Sequence, residues 1–335
     1  MQYVDRIYGP CAISHPLIVE LIESPSLQRL KGVDQAGYFE PFHRGLRYSR
    51  FEHSLGVMLL LQRYQSNLEE QVAGLLHDAS HSAFSHCIDY VSDLGSPETH
   101  SRQDDILVDF LDKTEIPGIL AAHGLDFAAV MNHNRHPLLE SALPDLSADR
   151  LDYSLRTALV AGEIEQADAE RFLACLEVQR DHWIFGSEEC ARDYANLFSL
   201  LNEKYFAGLA SAVMFYTVGS YLTYALDRKY ISIEDLYTTD LSVLNKISPV
   251  HGRDPMLLAL YRRMTCQTEY FEAHNSSAAR VFCKSRVVDP LCRSRRNIKR
   301  LSELDPQWQA TVAEQSRPRE YRIGFHDDLP YELRR

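Results

Sequence analysis

The chain has 335 residues, 45% of them hydrophobic and 24% charged, proportions ordinary for a soluble globular protein. Its net charge of −12 argues against a surface that grips duplex nucleic acid, while leaving room for a small anionic substrate in a locally positive cleft. No run approaches ~18 uninterrupted apolar residues, so no membrane-spanning helix is expected.

Met1 to Pro10 lacks the basic and apolar regions of a signal peptide. The seven cysteines are odd in number and form no Cys-x-x-Cys pair, which points to reduced thiols and a cytoplasmic location. Residues 1 to 50 read as a short extended segment, a helix over Pro16 to Glu23, a break at Ser24-Pro25, and a second helix over Ser26 to Val33. Gly37 to Tyr48, rich in Gly, Pro and aromatics, reads as a loop passing a site.

The spacing of Leu55, Val57, Met58, Leu59 and Leu61 predicts a mostly buried helix over Phe51 to Gln65, and a second covers Glu69 to Ser80. The short turn between them makes the two antiparallel neighbours, so His53 and the pair His77-Asp78 come to one end. Asp104 to Lys113 is helical, and Pro117 to Asn134 contains another helix. Ser147 caps a helix over Ala148 to Val160. Asp149 and Tyr153 share one face of it, while Asp152 and Arg156 share the adjacent face and can pair with each other.

Glu163 to Trp183 starts as helix and ends near a strand at Trp183 to Phe185. Residues 188 to 228 form one long helix or two, and shorter helices start at Ser232 and cover Leu241 to Ile247 and Met256 to Met264. Ala279 to Pro290 and Glu320 to Phe325 read as strands. The fold class is therefore mainly α, a helical core with a small α+β lobe near the C-terminus. The expected units are a core over 1–165, a helical extension over 166–278 and the lobe over 279–335.

A lone His-Asp dipeptide is more often a capped helix end than a metal site. Its company changes the reading. Arg50-Phe51-Glu52-His53-Ser54-Leu55-Gly56-Val57 lies one helix upstream, and Gly74 to His86 supplies His77, Asp78, His81 and His86. Ala148-Asp149-Arg150-Leu151-Asp152-Tyr153 opens a helix downstream. This H…HD…D order resembles the HD-domain metal-dependent phosphohydrolases, and its wording resembles the branch of deoxynucleoside triphosphate triphosphohydrolases. Asp5-Arg6-Ile7-Tyr8-Gly9, Ser24 to Lys31 and Gln35-Ala36-Gly37 fit the same pattern. The likeness is close through about residue 160 and looser beyond.

The resemblance implies four metal ligands, His53, His77, Asp78 and Asp149. Two imidazoles and two carboxylates suit one Mn²⁺, Fe²⁺, Co²⁺ or Ni²⁺ ion, with Mg²⁺ as a further candidate, in an octahedron with about two open positions. Open positions mark a catalytic metal, which would polarise a phosphoryl oxygen and acidify water. His81 and His100 could hold a second metal; the resemblance instead implies a proton relay in which Asp89 and His100 orient or charge His81. His86 reads as structural.

Arg50 would offer a planar fork to phosphate, against a plain ion pair with Glu52 or Glu40. In similar enzymes the position of Gln35 reads the sugar, Arg150 reaches phosphate and Tyr153 bounds the deoxyribose. The expected function is hydrolysis of a dNTP to deoxynucleoside and triphosphate. The alternatives are a phosphatase for nucleoside monophosphates or another small phosphomonoester, and, in a different class, a catalytically idle oligomeric nucleotide sensor. A homo-oligomer, dimer or tetramer, is expected.

Three positions depart from the pattern. Ser101 follows His100 where a glutamate is usual, Thr157 replaces an aspartate that accepts a sugar hydroxyl, and Phe198 to Phe206 holds no arginine, leaving Lys204 as the nearest cation. A triphosphate without charge partners is costly to bind. Asp5 and Gln28 match positions where some members hold a regulatory nucleotide between subunits, but Val4 and Lys31 do not. The Gly-Tyr-Pro signature of cyclic-dinucleotide hydrolases is absent.

Overall fold

A computed structural model describes residues 1–91, 94, 102–273, 278–327 and 329. The chain opens with an antiparallel hairpin, β1 (Gln2–Asp5) and β2 (Gly9–Ala12). Helices α1 (Pro16–Glu23) and α2 (Pro25–Arg29) follow, and α2 runs into a single 3₁₀ turn at Leu30–Gly32 in place of the expected continuous helix to Val33. The loop after it leads to α3 (Arg50–Arg63), which starts in a reciprocal cap: Ser49 Oγ accepts from Glu52 N–H, and Glu52 accepts from Ser49 N–H. Nearly every residue of α3 is buried, so it is a core helix rather than an amphipathic one.

Helix α4 (Leu68–Leu76), capped by Asn67, folds back on α3. Gly74 permits the close approach, since a Cβ there would stand 2.6 Å from Leu61 and 3.2 Å from Val57. The helix stops at Leu76, not at Ser80. His77 donates its Nδ1–H to Gly74 O at 2.8 Å, occupying the carbonyl that another helical turn would use, and the chain continues in turns. Helices α5 (Arg102–Leu111), α6 (Ile116–Ala122) and α7 (Phe127–Val130) cover one flank. Then α8 (Ala148–Val160) begins where Ser147 Oγ accepts from Arg150 N–H.

Helix α9 (Gln166–Cys175) leads into the hairpin β3 (Leu176–Gln179) and β4 (His182–Phe185). The stretch 188 to 228 is two helices, α10 (Glu188–Leu201) and α11 (Leu209–Asp227), joined by a π turn at Asn202–Phe206. The run Glu188–Asp227 is long and apolar enough by composition to cross a bilayer, yet 83% of its apolar window is buried inside the protein. Helices α12 (Asp240–Ile247) and α13 (Pro255–Met264) pack beyond it.

The remaining strands serve two sheets. β5 (Tyr270–Glu272), β6 (Ala279–Cys283) and, after the segments named next, β9 (Arg319–Phe325) form a three-stranded sheet in the order β5-β9-β6. β7 (Leu291–Ser294) runs parallel to β4 and pairs with β8 (Asn297–Arg300), so one sheet joins 176–185 to 291–300. Two short helices, α14 (Leu301–Leu304) and α15 (Pro306–Gln315), precede β9. The strand expected to run to Pro290 ends at Cys283, because Arg286 N–H donates to the Asn202 side chain at 2.9 Å instead of to a strand neighbour.

Two apolar cores result. One gathers α1, α3, α4, α8 and α10; the other surrounds α11 with residues 83–91, α13, β6 and β9. Ala79 belongs to the first and Ala83 to the second, so the turn after His77-Asp78 crosses between them. With each buried Leu or Val contributing roughly 1.5–3 kcal/mol, packing fixes both ends of that turn.

Candidate metal centre

Three helix ends meet here. His53 sits in the first turn of α3, His77 and Asp78 follow the last turn of α4, and Asp149 is the second residue of α8. Donor atoms of His53, His77 and Asp149 all lie within 4.8 Å of one another. His53 Nε2 is 3.0 Å and His77 Nε2 3.5 Å from Asp149 Oδ1. Asp78 Oδ2 is 3.5 Å from His53 Nε2 and 3.6 Å from His77 Nε2. In an octahedron with bonds of about 2.1 Å, adjacent donors stand about 3 Å apart, so the set needs only a small contraction around an ion.

The chemistry of the donors fits a cation. His77 Nε2 is buried without a hydrogen-bond partner among the described residues, while its Nδ1–H is committed to Gly74 O, so Nε2 faces the cluster. Burial works against a charged His77, but Asp78 and Asp149 outweigh it and raise the imidazole to about 10. His53 is raised for the same reason, burial being overcome by hydrogen bonds to Asp149 and Asp152. Asp78 is held well below the carboxylate range: burial opposes this, and Arg50, His77 and His81 outweigh it. A proton drawn this strongly to the imidazoles occupies the charge position that a divalent ion would take.

Arg50 is 2% exposed and does not pair with Glu52 or Glu40. Its Nη1–H donates to Asp78 Oδ2 at 2.6 Å and its Nε–H to Ser85 Oγ at 3.0 Å; Nη2 is buried without a partner among the described residues. Glu52 instead caps α3 and pairs with Arg6.

His81 stands on the other oxygen of Asp78, Nε2 to Oδ1 3.1 Å, with its Nδ1 buried and unpartnered among the described residues. Burial, then Arg50, lowers its pKa to about 4, so at neutral pH it is an uncharged imidazole. Asp89 approaches through His86: its Oδ2 is 3.4 Å from His86 Nδ1, and the His86 ring stands edge-on to His81 with centroids 5.2 Å apart. His100 lies outside the described residues.

Gln35 is buried, and its side-chain oxygen has no partner among the described residues. The Tyr153 ring meets Phe206 edge-on at 5.3 Å and lies 6.4 Å from His53. Arg150 is tied to backbone, Nη1 to Asp145 O and Nη2 to Ser141 O at 3.3 Å. Thr157 is buried against the Tyr48 hydroxyl at 2.8 Å. Lys204, in the π turn, is 3.1 Å from Glu163.

Two further residues act on the candidate site without being marked for it in the sequence. Asp152 pairs with Arg156 as expected, but it also holds His53 Nδ1 at 2.8 Å, and its i, i+3 spacing from Asp149 is the available signal. Arg286 is the other. Burial raises the Tyr153 phenol, and the charges of Arg150 and Arg286 work against it. No local signal marks Arg286, since the Asn202 contact brings it there from 84 residues away.

Comparison with known proteins gives a match to the family described as HD domain over residues 50–161. Uncharacterized protein YdhJ of Bacillus subtilis is 37% identical over 246 residues, 73% of this chain and 74% of that one. Metal-dependent phosphohydrolase cns2 of Cordyceps militaris is 40% identical over 172 residues, 51% of this chain and 49% of the relative. Deoxynucleoside triphosphate triphosphohydrolase SAMHD1 of Bos taurus is 38% identical over 100 residues, 25% of this chain and 17% of the relative. The chain thus spans half or less of the length of these last two. A crystal structure of a phosphohydrolase from Bacteroides thetaiotaomicron superposes with a TM-score of 0.73 at 17% identity, covering 98% of this chain and all of that one, a likeness of fold.

Proposed function

Because the chain belongs to the HD-domain family of metal-dependent phosphohydrolases, we propose that it hydrolyses a phosphate ester of a nucleotide at the centre built by His53, His77, Asp78 and Asp149. The observation that carries this reading is the convergence of those four donors, with His77 Nε2 buried and unpartnered among the described residues. A divalent transition metal there supplies Lewis acidity. His81, uncharged and with Nδ1 free of protein partners among the described residues, moves the proton, with Asp89 and His100 as its relay. Gln35, Arg50 through Nη2, Arg150 and Tyr153 contact the substrate. The protein works as a dimer or tetramer in the cytoplasm.

The similarity to deoxynucleoside triphosphate triphosphohydrolases favours a dNTP, cleaved at the α-phosphorus to deoxynucleoside and triphosphate. A second reading, a nucleoside monophosphate phosphatase, is favoured by the cations: Lys204 is paired with Glu163 and Arg150 with backbone carbonyls. The test incubates Mn²⁺-loaded protein with dNTPs, NTPs and nucleoside monophosphates in ¹⁸O-labelled water and separates the products by chromatography. We expect deoxynucleoside and triphosphate, with the label on triphosphate. Release of inorganic phosphate from monophosphates alone selects the second reading. Nucleotide binding with no turnover of any phosphate ester would leave an idle sensor and overturn the enzyme.

A further inference from the structure

The face of His53 turned away from the cluster meets a string of buried charges that ends in the first strand. Both oxygens of Asp152 are fully used. Oδ2 accepts from His53 Nδ1–H at 2.8 Å and from Arg156 Nε–H at 3.0 Å. Oδ1 accepts from Arg156 Nη2–H at 2.8 Å and from the Tyr8 hydroxyl at 2.9 Å. Arg156 in turn donates to the two oxygens of Asp5 at 3.2 and 3.1 Å. Asp5 also accepts from the N–H groups of Ile7 and Tyr8, closing the turn between β1 and β2. Asp152 and Arg156 have no exposed surface, and Asp5 is 3% exposed.

Helix α3 leaves a gap for this string. A Cβ on Gly56 would stand 2.1 Å from both Arg156 Nη2 and Asp152 Oδ1. Neither atom can swing aside: besides holding each other, Nη2 donates to both oxygens of Asp5 and Oδ1 accepts from the Tyr8 hydroxyl. The missing side chain one turn after His53 is thus what lets the outer pair reach the ligand.

We propose that the N-terminal hairpin is a positioning part of the metal centre: Asp5 and Tyr8, through Arg156 and Asp152, hold His53 with a proton on Nδ1 and its Nε2 lone pair facing the metal. The inference rests on the metal-centre reading above. A carboxylate that takes a proton donor from a ligating imidazole fixes both tautomer and ring angle. The same geometry removes Asp5 from any nucleotide-reading role in this structure, since its oxygens are committed inside.

The test measures Mn²⁺ affinity by calorimetry on the full-length, metal-stripped protein and its variants. Asp152→Asn leaves one accepting oxygen for four donors, and should weaken Mn²⁺ binding about 10–100-fold, the usual weight of an outer partner. Asp5→Asn should weaken it in the same direction by less, and Tyr8→Phe by least. Arg6→Ala, which breaks only the exposed pair with Glu52 in the same hairpin turn, should bind as wild type. In Zn²⁺-loaded protein the Nδ1–H resonance of His53 should shift in Asp5→Asn and Tyr8→Phe, while that of His77, held by Gly74 O, stays. These two milder variants carry the test if Asp152→Asn does not fold. Wild-type affinity in Asp5→Asn with an unmoved His53 resonance overturns the proposal, and so does an equal loss in Arg6→Ala. Failure of the wild type itself to bind Mn²⁺ would instead bring down the metal-centre reading.

Discussion

Two groups of aspartates lie close to the same turn of the chain, and their pKa values are shifted in opposite directions. Around the candidate metal centre, Asp78, Asp149 and Asp152 are held below the usual carboxylate range; burial opposes this, and neighbouring histidines and arginines outweigh it. Asp34 and Asp240 are partly buried and, among the described residues, are hydrogen-bonded by backbone N–H groups alone. Asp240 accepts from Phe84 and Asp34, and Asp34 accepts from Ala36 and Gly37. Burial pushes Asp34 up to about 6, and burial with the neighbouring Asp34 pushes Asp240 up to about 7. Sequence position or residue type does not decide which aspartate carries charge; what faces it does. The first group keeps charge ready for a cation. The second is a clasp, tying α12 to the left-handed residues Phe84 and Ser85 that follow His81.

Replacing His77 and Asp78 together by Ala strikes the first group hardest. We expect metal content to fall from about one transition metal per chain to near zero and hydrolysis to fall to background, with helical circular dichroism retained. Metal content equal to wild type by elemental analysis would sink the ligand assignment.

The helices that carry the first group are legible in the sequence because local rules dictate them. A period near 3.6, Ser147 as a cap and the short link between α3 and α4 suffice to bring His53 near His77. The clasp is not legible. Asp34 and Asp240 are 206 residues apart, and each alone looks like a turn residue and a helix first-turn acid. Asp152 illustrates the border: its bond to Arg156 is local and follows from the spacing, whereas its bond to His53 spans 99 residues. The small strands are hidden for the same reason. Leu291–Ser294 has no strand pattern of its own and is recruited by pairing with β4.

Asp34→Asn sharpens the contrast with a moderate effect. A carboxylate whose folded pKa is raised binds protons more readily folded than unfolded, so its contribution declines as pH rises from about 4 through 7. Lowered carboxylates behave oppositely: their contribution is present above about 4 and is lost as pH falls. Asn keeps the oxygen that accepts from Ala36 and Gly37 and removes the charge. Urea unfolding should show a gain of roughly 2 kcal/mol at pH 8 and little change at pH 3, with metal content at pH 8 unaltered. Destabilisation of equal size at both pH values would mean that the two aspartates are not repelling each other.

The smallest effect comes from a carboxylate near the surface. Glu163 holds Lys204 at 3.1 Å, and the lysine side chain is 49% exposed, so the pair is worth about 1 kcal/mol at most. Glu163→Gln releases that cation. If the substrate carries three phosphates, the free ammonium gains a partner in the bound state, and KM should fall by up to about fivefold with kcat unchanged, which is what 1 kcal/mol allows. The gain should shrink as salt is raised, because an exposed charge is screened within about 10 Å at 0.1 M. A monophosphate held against the metal donors has no phosphate left to reach the π turn, and its KM should not move. The comparison of the two substrates in one variant therefore reads the number of phosphates from a charge that the catalytic step never uses. A KM for dNTP that stays fixed at low salt would place Lys204 outside the substrate's reach, leaving Arg150 and Arg286, whose charges act on Tyr153, as the cations to test next.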